Sequence, residues 1–512
     1  MFLKLISVLL IVSLAYVANG QQSAPLTVSA RSGVFTGIYF NSTRAFLGVP
    51  YAKPPVGSLR FEQPQPRDYI FGTYQATTHA PSCWQSGKPA GYVYSEDCLY
   101  MDIYTPKGYS RNSMPVLVFI HGGRYWTGAA TDFPGDKLAA IQKAVVVIIQ
   151  YRLNVFGFQP FSDSNNNLGL QDQQLALRFV RDNIRAFGGD PSQVTIFGES
   201  AGGSSVLHHT IIPSSFSLYN NAIIQSAWQW YIPTVAQGRT KMASWAATKG
   251  CDGTTDIITC LKTKNATDIT PTAGQSDFFV PMVDGKLITS LPLKAIKEKR
   301  YNYDATIMMG HNYDEGNFMA YSRLGWVPPN VTVTDATYNT SIAKYLNVYF
   351  NSSQVTDIMN LYAPVAAQLG NWYGGAEFFG DYYIVCGSIL ASQYFKADRV
   401  EAYYYLFNYS SPNYPANEWF LAASHGNELP YIFFQDIYTP YPFANSDNLL
   451  ASRMSSAWVD FADNDSPRSP LSDWPTNYPQ AMYYGPNASD FKATKPYTKD
   501  ICENWRQYFE AY

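Results

Sequence analysis

Apolar runs separated by amphipathic or turn-forming stretches dominate the chain from about residue 114 onward. Six short runs are almost continuously apolar and are predicted as strands, at 116–120, 144–151, 194–199, 222–226, 305–310 and 402–408. Strands that are apolar on both faces are typical of a parallel sheet covered by helices on both sides. Between the second and third runs, Ala176, Val180 and Ile184 recur at helical spacing, which predicts a helix over 168–187. The alternation of strands and helices indicates an open α/β sheet.

The first hundred residues follow a different pattern. Residues 24–102 contain turns and shorter strand candidates, among them 34–39 and 45–50. Residues 1–20 combine a lysine, an apolar stretch and a small-residue ending, which predicts a secretory signal peptide. No later stretch is apolar for the length that a bilayer span needs, so no membrane span is expected. No linker, repeat or low-complexity tract divides the remainder, and 21–512 is predicted to be one domain.

The charge and composition of the chain limit the classes of function that it can have. The 36 basic and 39 acidic side chains give a net charge of −3, so the basic footprint of a nucleic-acid-binding protein is missing. The 40 tyrosines suit a large packed core and pockets lined by rings. N-x-S/T sequons suggest a secreted glycoprotein; they begin at Asn41, Asn265, Asn330, Asn339, Asn351, Asn408 and Asn487.

The six cysteines indicate the redox compartment of the protein and whether a metal site is expected. An even number in a secreted chain favours disulfides, but spacing alone leaves their pairing open. None lies in a CxxC or a Cys/His spacing, so no metal site is expected.

The strongest chemical signal is the run Gly198-Glu199-Ser200-Ala201-Gly202, which follows a predicted strand directly. A serine between a buried strand and a helix takes a strained backbone conformation, and small flanking residues let the two elements pass closely. Ser200 is therefore predicted to be a nucleophile. The backbone N–H of Ala201 would lie at a helix N-terminus, where it favours the negative oxygen of a tetrahedral intermediate.

The chain order of α/β-hydrolase triads, nucleophile then acid then histidine, selects the other candidates. Only His311 and His425 lie far beyond Ser200, and His425 stands in a loop-like run after a strand, so it is the predicted base. Two adjacent carboxylates, Asp314 and Glu315, follow the strand 305–310, and the residues alone do not decide between them.

A second oxyanion element is expected after an early strand. His121-Gly122-Gly123-Arg124 follows the strand 116–120, and its glycines would let backbone N–H groups approach a substrate carbonyl.

Taken together, these residues resemble the cholinesterase and type-B carboxylesterase family over nearly the whole mature chain. The matching stretches are FLGVPYAKPPVG at 46–57, SEDCLY at 95–100, LGLQDQ at 168–173, FGGDP at 187–191 and GESAG at 198–202. The resemblance implies an α/β-hydrolase fold with a large, mostly parallel central sheet and helices on both faces. It also implies a serine esterase that forms an acyl-enzyme and needs no cofactor or metal.

The resemblance assigns roles that the residues alone leave open. It implies Glu315 as the acid, His425 as the base in an H-G-x-E motif, and Glu199 as an electrostatic support for the histidine. The implied oxyanion donors are the amides of Gly123, Arg124 and Ala201. The implied disulfides are Cys83–Cys98, Cys251–Cys260 and Cys386–Cys502. Dimerisation near the C-terminus is frequent in the family, which suggests a homodimer.

Two departures from the family pattern affect the expected specificity. Arg124 stands where the family has a third glycine, so a Cβ and a long cation must fit there. Neuronal adhesion members of the family also depart at this position, and they have lost the serine as well. The loop between Cys83 and Cys98 is shorter than in true cholinesterases, and Lys88 occupies the place of their choline-stacking tryptophan. This argues against a choline-specific enzyme.

The sequence thus predicts a carboxylic-ester hydrolase, secreted or held in a secretory vesicle, whose partner is a small to medium ester rather than nucleic acid. The alternative is a catalytically weak storage, crystal-forming or adhesion protein that retains the esterase fold.

Overall fold

The computed structural model describes residues 26–87, 91–108, 113–162, 164–252, 256–272, 279–327, 332–421, 423–434, 441–468, 474–476, 478–487, 490, 492–493 and 497–511. The predicted signal peptide, Lys88 and the sequon at Asn330 lie outside the described residues.

The strands, in chain order, are β1 Thr27–Ala30, β2 Gly33–Thr36, β3 Ile38–Phe40, β4 Thr43–Pro50, β5 Ile70–Gln75, β6 Ser82–Cys83, β7 Tyr94–Ser95, β8 Tyr100–Pro106, β9 Met114–Ile120, β10 Val145–Ile149, β11 Gly189–Glu199, β12 Asn221–Gln225, β13 Thr306–Asn312, β14 Ala402–Phe407, β15 Met482–Tyr484 and β16 Lys492–Ala493.

The α-helices, in chain order, are α1 Asp136–Gln142, α2 Asn154–Phe158, α3 Leu168–Asn183, α4 Ala201–Ile211, α5 Val235–Thr248, α6 Ile257–Lys262, α7 Ala266–Ile269, α8 Pro292–Lys297, α9 Glu315–Leu324, α10 Asp335–Leu346, α11 Ser352–Leu369, α12 Asn371–Gly380, α13 Cys386–Ala397, α14 Leu429–Phe433, α15 Asn445–Asn464 and α16 Arg506–Phe509. Short 3-10 segments lie at Gly57–Leu59, Ala130–Asp132, Ile184–Phe187, Pro213–Leu218, Ala416–Leu421 and Asp500–Trp505, and a π-helical segment at Asp381–Val385.

An 11-stranded mixed sheet forms the centre of the molecule, in the order β16-β15-β14-β13-β12-β11-β9-β10-β8-β4-β3. Its six neighbouring pairs from β15 through to β10 are parallel, and the strands toward both edges pair antiparallel. All residues of β9, β10 and β12 are buried, as expected for strands covered on both faces. The predicted α/β fold with a mostly parallel sheet is confirmed.

The core consists of two apolar layers, one on each face of the sheet. Val116, Val118 and Ile120 of β9 belong to one buried cluster, whereas Leu117 and Phe119 belong to the other. Since successive side chains of a strand point to opposite faces, the two clusters lie on opposite sides.

Two details of the sequence prediction were wrong. The predicted strand 34–39 is two strands in different sheets, β2 with β1 and β5, and β3 at the edge of the central sheet. Gly37 separates them because the chain passes so close to β4 that a Cβ there would lie 2.4 Å from the Ala45 carbonyl oxygen. Strand β8, third from the β3 edge of the sheet, was not predicted either, because Asp102 interrupts its apolar pattern. Asp102 is buried, and its carboxylate accepts from the Gly48 amide (2.7 Å) and contacts His79 Nδ1 (2.7 Å).

Three disulfides are present, Cys83–Cys98, Cys251–Cys260 and Cys386–Cys502. The last joins the start of α13 to the 3-10 segment Asp500–Trp505. Within the described ranges, no helix is both long enough and apolar enough to cross a bilayer.

Candidate active site

Ser200 lies on a tight turn between β11 and α4. Its backbone angles are φ 60° and ψ −124°, a conformation that non-glycine residues adopt only when the surroundings enforce it. A Cβ at Gly202 would lie 1.9 Å from the Ile120 carbonyl oxygen, and one at Gly198 would lie 2.6 Å from the Gly202 carbonyl carbon. The glycines are therefore required by the close passage of α4 across the neighbouring strands.

The ends of four neighbouring parallel strands are level with one another. Glu199 pairs with Gln225, Gln225 with Gly310, and Gly310 with Tyr405. The segments that follow β11, β13 and β14 therefore emerge side by side at the carboxyl edge of the sheet, where ligand sites of α/β sheets lie. These segments carry Ser200, Glu315 and His425 in that order.

The structure brings the three predicted triad residues into one hydrogen-bonded chain. His425 Nε2 lies 2.8 Å from Ser200 Oγ, and His425 Nδ1 lies 2.7 Å from Glu315 Oε2. The second oxygen of Glu315 accepts from Ser226 Oγ (2.5 Å) and from the Asn312 amide (2.7 Å). Glu315, and not Asp314, contacts the imidazole; Asp314 is the N-cap residue of α9.

Burial and charge shift the pKa values of these groups in a consistent way. Burial opposes the ionisation of Glu315. The charge of His425 and the hydrogen bonds that Glu315 accepts nevertheless hold the pKa of Glu315 below its ordinary value. Burial alone would lower the pKa of His425, yet Glu199 and Glu315 outweigh it and raise that pKa. Glu315 therefore remains a carboxylate and stabilises a charged imidazole.

Two further buried glutamates surround the triad. Glu199 Oε1 lies 3.2 Å from His425 Nε2; burial raises the pKa of Glu199, and the charge of His425 opposes that rise. Glu428 accepts hydrogen bonds from Gln225 Nε2 (3.1 Å) and Asn312 Nδ2 (2.7 Å), and burial raises its pKa to about 7. Asn312 Nδ2 also donates to the Ser424 carbonyl (2.7 Å), which ties the loop carrying His425 to β13.

Sequence reasoning missed Ser226, Asn312 and Glu428. Glu428 could have been identified from its position three residues after His425. Ser226 directly follows β12, and Asn312 is the last residue of β13.

The predicted oxyanion segment passes directly against the nucleophile. A Cβ on Gly122 would lie 3.0 Å from Ser200 Cβ, so a residue with a side chain would crowd the serine at this position. Gly123 has φ 101° and Arg124 has φ 58°, so Arg124 adopts a left-handed conformation that favours glycine. The turn closes through hydrogen bonds from the Trp126 and Thr127 amides to the Gly123 carbonyl, at 3.0 and 2.9 Å. Ala201 begins α4 on the other side of Ser200.

A cavity of about 500 Å³ opens onto Ser200 and His425. Its wall is largely aromatic and apolar, with Trp126, Trp228, Phe318, Met319 and Leu421. Two arginines, Arg124 and Arg323, also line it, and the Arg124 guanidinium lies 5.4 Å from the centre of the Trp126 ring. Neither Arg323 nor Trp228 was predicted as a site residue, since nothing in the neighbouring sequence indicates which way their side chains face.

One group among the described residues has a spacing that could hold a metal ion, Asp381 with Cys386 and Cys502. Both of its sulfurs are joined in a disulfide, so they are not available as thiolate ligands.

Comparison with known proteins agrees with this architecture. The sequence model of the Carboxylesterase family matches residues 24–505. Similar proteins are Cholinesterase of Mus musculus (29% identical, covering 93% of this chain and 85% of that protein) and Carboxylesterase 1F of Mus musculus (32%, 92% and 92%). Liver carboxylesterase 1F of Rattus norvegicus is 31% identical over 94% of this chain and 93% of its own length. The chain therefore belongs to the carboxylesterase family and is an enzyme, a serine carboxylesterase-like hydrolase.

Proposed function

We propose that the protein is a secreted carboxylic-ester hydrolase that acts through an acyl-enzyme formed on Ser200. The observation that carries the proposal is the continuous hydrogen-bonded chain Ser200–His425–Glu315 at the cavity. A serine, a histidine and a carboxylate in this geometry form the constellation that activates a hydroxyl for acyl transfer.

In the first half of the proposed reaction, His425 Nε2 takes the proton from Ser200 Oγ as the oxygen attacks the ester carbonyl carbon. The carbonyl oxygen becomes an oxyanion, which the amides of Gly123, Arg124 and Ala201 stabilise. The C–O bond to the alcohol then breaks, and the leaving alkoxide takes the proton from His425. Glu315 keeps the imidazole oriented and stabilises its charged form.

In the second half, a water molecule gives a proton to His425 and attacks the acyl carbon. Collapse of the second tetrahedral intermediate releases the carboxylic acid and returns the proton to Ser200. The fixed amide dipoles supply most of the stabilisation in both halves, because they need not reorganise as charge develops. The cavity of about 500 Å³ supports small to medium esters as substrates, since it falls in the range of ordinary small-molecule sites.

Secretion is proposed from features outside the site. The three disulfides fit an oxidising compartment, which agrees with the signal peptide predicted at residues 1–20. Most described sequons are exposed and accessible to glycan transfer, namely those at Asn41, Asn265, Asn339, Asn351 and Asn487.

A second candidate function is a catalytically weak storage, crystal-forming or adhesion protein. The observation that favours it is Arg124, whose positive φ places a strained, bulky residue in the proposed oxyanion segment. The intact Ser200–His425–Glu315 chain favours the hydrolase.

One experiment separates the two functions. The secreted protein is treated with a fluorophosphonate probe, and its hydrolysis of p-nitrophenyl acetate and butyrate is measured. We expect the probe to label Ser200, and Ser200→Ala to lose several orders of magnitude in kcat. Ser192→Ala, on the exposed part of the same strand, serves as the matched control and should keep full activity. An active Ser200→Ala variant, or an unlabelled and inactive wild type, contradicts the proposal.

A further inference from the structure

Gln85 lies in the loop closed by the Cys83–Cys98 disulfide, and its side chain is buried. Its amide group binds the backbone of Gly128 on both sides. Nε2 donates to the Gly128 carbonyl (2.8 Å), and Oε1 accepts from the Gly128 amide (2.9 Å). Nε2 also donates to the Cys83 carbonyl (2.9 Å), so both amide hydrogens and the oxygen of Gln85 are engaged. Gln85 therefore joins the disulfide loop to Gly128 in a single orientation.

Gly128 is the last residue of the segment that begins at His121, called here the 121–128 turn. This segment carries two of the proposed oxyanion amides. A Cβ on Gly128 would lie 2.3 Å from His121 Nδ1 and 2.7 Å from the Gly122 carbonyl oxygen, so the end of the turn lies directly against its beginning. Gly122 in turn lies against Ser200. A contact that fixes Gly128 therefore also limits the movement of the backbone beside the nucleophile.

The 121–128 turn depends on its surroundings because its backbone is strained. Arg124 and Tyr125 have φ values of 58° and 57°, in the left-handed region that favours glycine. Such conformations persist when the surrounding structure holds them in place. The Asn154 amide supports the middle of the turn through a hydrogen bond to the Tyr125 carbonyl (2.7 Å). Gln85 supports its end with the two hydrogen bonds to Gly128.

Building on the proposed ester hydrolysis, we propose that Gln85 is a positioning residue that aligns the oxyanion amides of Gly123 and Arg124. Gln85 is not part of the cavity wall and acts through Gly128. An oxyanion donor is effective only at about 2.7–3.1 Å from the oxygen on which charge develops. A small shift of the turn therefore weakens binding of the transition state and leaves the cavity that receives the ester in place.

The main test is Gln85→Met, which keeps the length of the side chain and removes its hydrogen bonds. We expect kcat for p-nitrophenyl acetate to fall about ten- to hundredfold, because misplacement by about 1 Å can cost about 10²-fold. KM should change by less than about threefold, since the lost interaction is made only in the transition state. Active sites are counted by complete labelling with a fluorophosphonate, so that unfolded molecules do not contribute to kcat.

A ketone that forms an oxyanion in the site gives a readout that a merely structural role would not move. With 1,1,1-trifluoro-2-octanone, Ser200 Oγ adds to the ketone carbon, the hydroxyl proton passes to His425, and the carbonyl oxygen becomes the oxyanion. In Gln85→Met, the Ki of this ketone should rise by about the factor by which kcat/KM falls. The Ki of 2-octanone, which binds as the unreacted ketone, should stay the same.

Gln150→Met is the matched control. Gln150 is also buried, and its Nε2 donates to the carbonyls of Pro81 (2.9 Å) and Cys98 (3.5 Å), beside and within the same disulfide loop. Within the described residues, none of its hydrogen bonds reaches the 121–128 turn. Gln150→Met should therefore keep the wild-type kcat and the wild-type Ki for the trifluoromethyl ketone.

The results distinguish this inference from the function on which it rests. If esters are hydrolysed through Ser200 but Gln85→Met keeps its kcat, or loses it without the matching rise in Ki, the positioning role is refuted and the hydrolase stands. An equal loss in Gln150→Met also refutes it, because the effect then belongs to the whole loop. If the wild type is neither active nor labelled, the proposed hydrolase fails, and the positioning role fails with it.

A second variant covers the case in which Gln85→Met does not fold. Gln85→Glu has the same shape and keeps an acceptor for the Gly128 amide, but its second oxygen faces the carbonyls of Cys83 and Gly128. The same loss of kcat and the same rise in Ki are expected, and wild-type values of both refute the positioning role.

Discussion

Replacing Glu315 by glutamine should inactivate the enzyme through a change of tautomer at His425. Glu315 Oε1 accepts from Ser226 Oγ and the Asn312 amide, and Oε2 faces His425 Nδ1. A carboxamide must keep its oxygen toward those two donors, since the Asn312 N–H cannot face another N–H. Its NH₂ group then points at Nδ1 and forces the imidazole proton onto Nε2. In that tautomer the nitrogen beside Ser200 donates and cannot accept a proton.

The size of the effect follows from this geometry. Tautomer inversion of this kind, without other disturbance, lowers kcat by about 10⁴-fold in a serine hydrolase. At about 1.4 kcal/mol for each factor of ten, the loss corresponds to about 5.5 kcal/mol of transition-state stabilisation. The volume of the side chain is unchanged, so folding should be affected far less than catalysis.

The assay is steady-state hydrolysis of p-nitrophenyl butyrate, with thermal unfolding as a check of the fold. Asp314→Asn is the matched control, since it changes the adjacent carboxylate and leaves the hydrogen bonds to His425 in place. The reasoning is refuted if Glu315→Gln stays within about tenfold of the wild type, or if Asp314→Asn costs more, because tautomer inversion predicts a loss of orders of magnitude.

Three further predictions concern the surroundings of the triad. Arg124→Gly should raise kcat/KM for butyryl and longer esters more than for acetyl, because it clears volume beside Ser200; an unchanged chain-length profile contradicts this. Glu199→Gln removes a carboxyl group 3.2 Å from His425 Nε2, which should lower the pKa of His425. The acidic limb of the kcat/KM profile should then move to lower pH, and a limb that does not move rules out electrostatic support of His425 by Glu199. Removing Cys386–Cys502, which closes a 116-residue loop, should lower the free energy of unfolding by about 4–5 kcal/mol in urea titrations. Loss of either shorter bridge should cost less, and equal costs would count against chain entropy as the cause.

The nucleophile could be predicted from sequence because its steric requirements are local. Gly198 and Gly202 are required because α4 passes so close to the Ile120 carbonyl. Both glycines fall within the same five residues of sequence, so the pattern can be recognised locally. Six of the seven strands in the parallel part of the described central sheet were equally predictable, since burial on both faces leaves them mostly apolar; the three-residue strand β15 was not predicted.

Features that depend on distant parts of the chain could not be predicted from local sequence. Asp314 and Glu315 differ by one position, and only the direction of the first turn of α9 decides which one contacts His425. Ser226 looks like any strand-end serine until the neighbouring strand brings Glu315 to it. The Arg323 guanidinium packs on the stacked rings of Trp228 and Tyr383, 4.9 Å from each ring centre, and these two residues lie 155 positions apart in sequence.

The level ends of the four parallel strands have a consequence for when the enzyme becomes active during its synthesis. Ser200 and the histidine that contacts it are 225 residues apart, and Glu315 lies between them in sequence, at the start of α9. A nascent chain that has emerged only as far as α9 contains the serine and the acid but lacks the base. Hydrolysis can begin only after β14 has joined the sheet and the loop that follows it has docked. The appearance of esterase activity would therefore report the completion of folding, and a chain truncated before that loop would be inert toward esters.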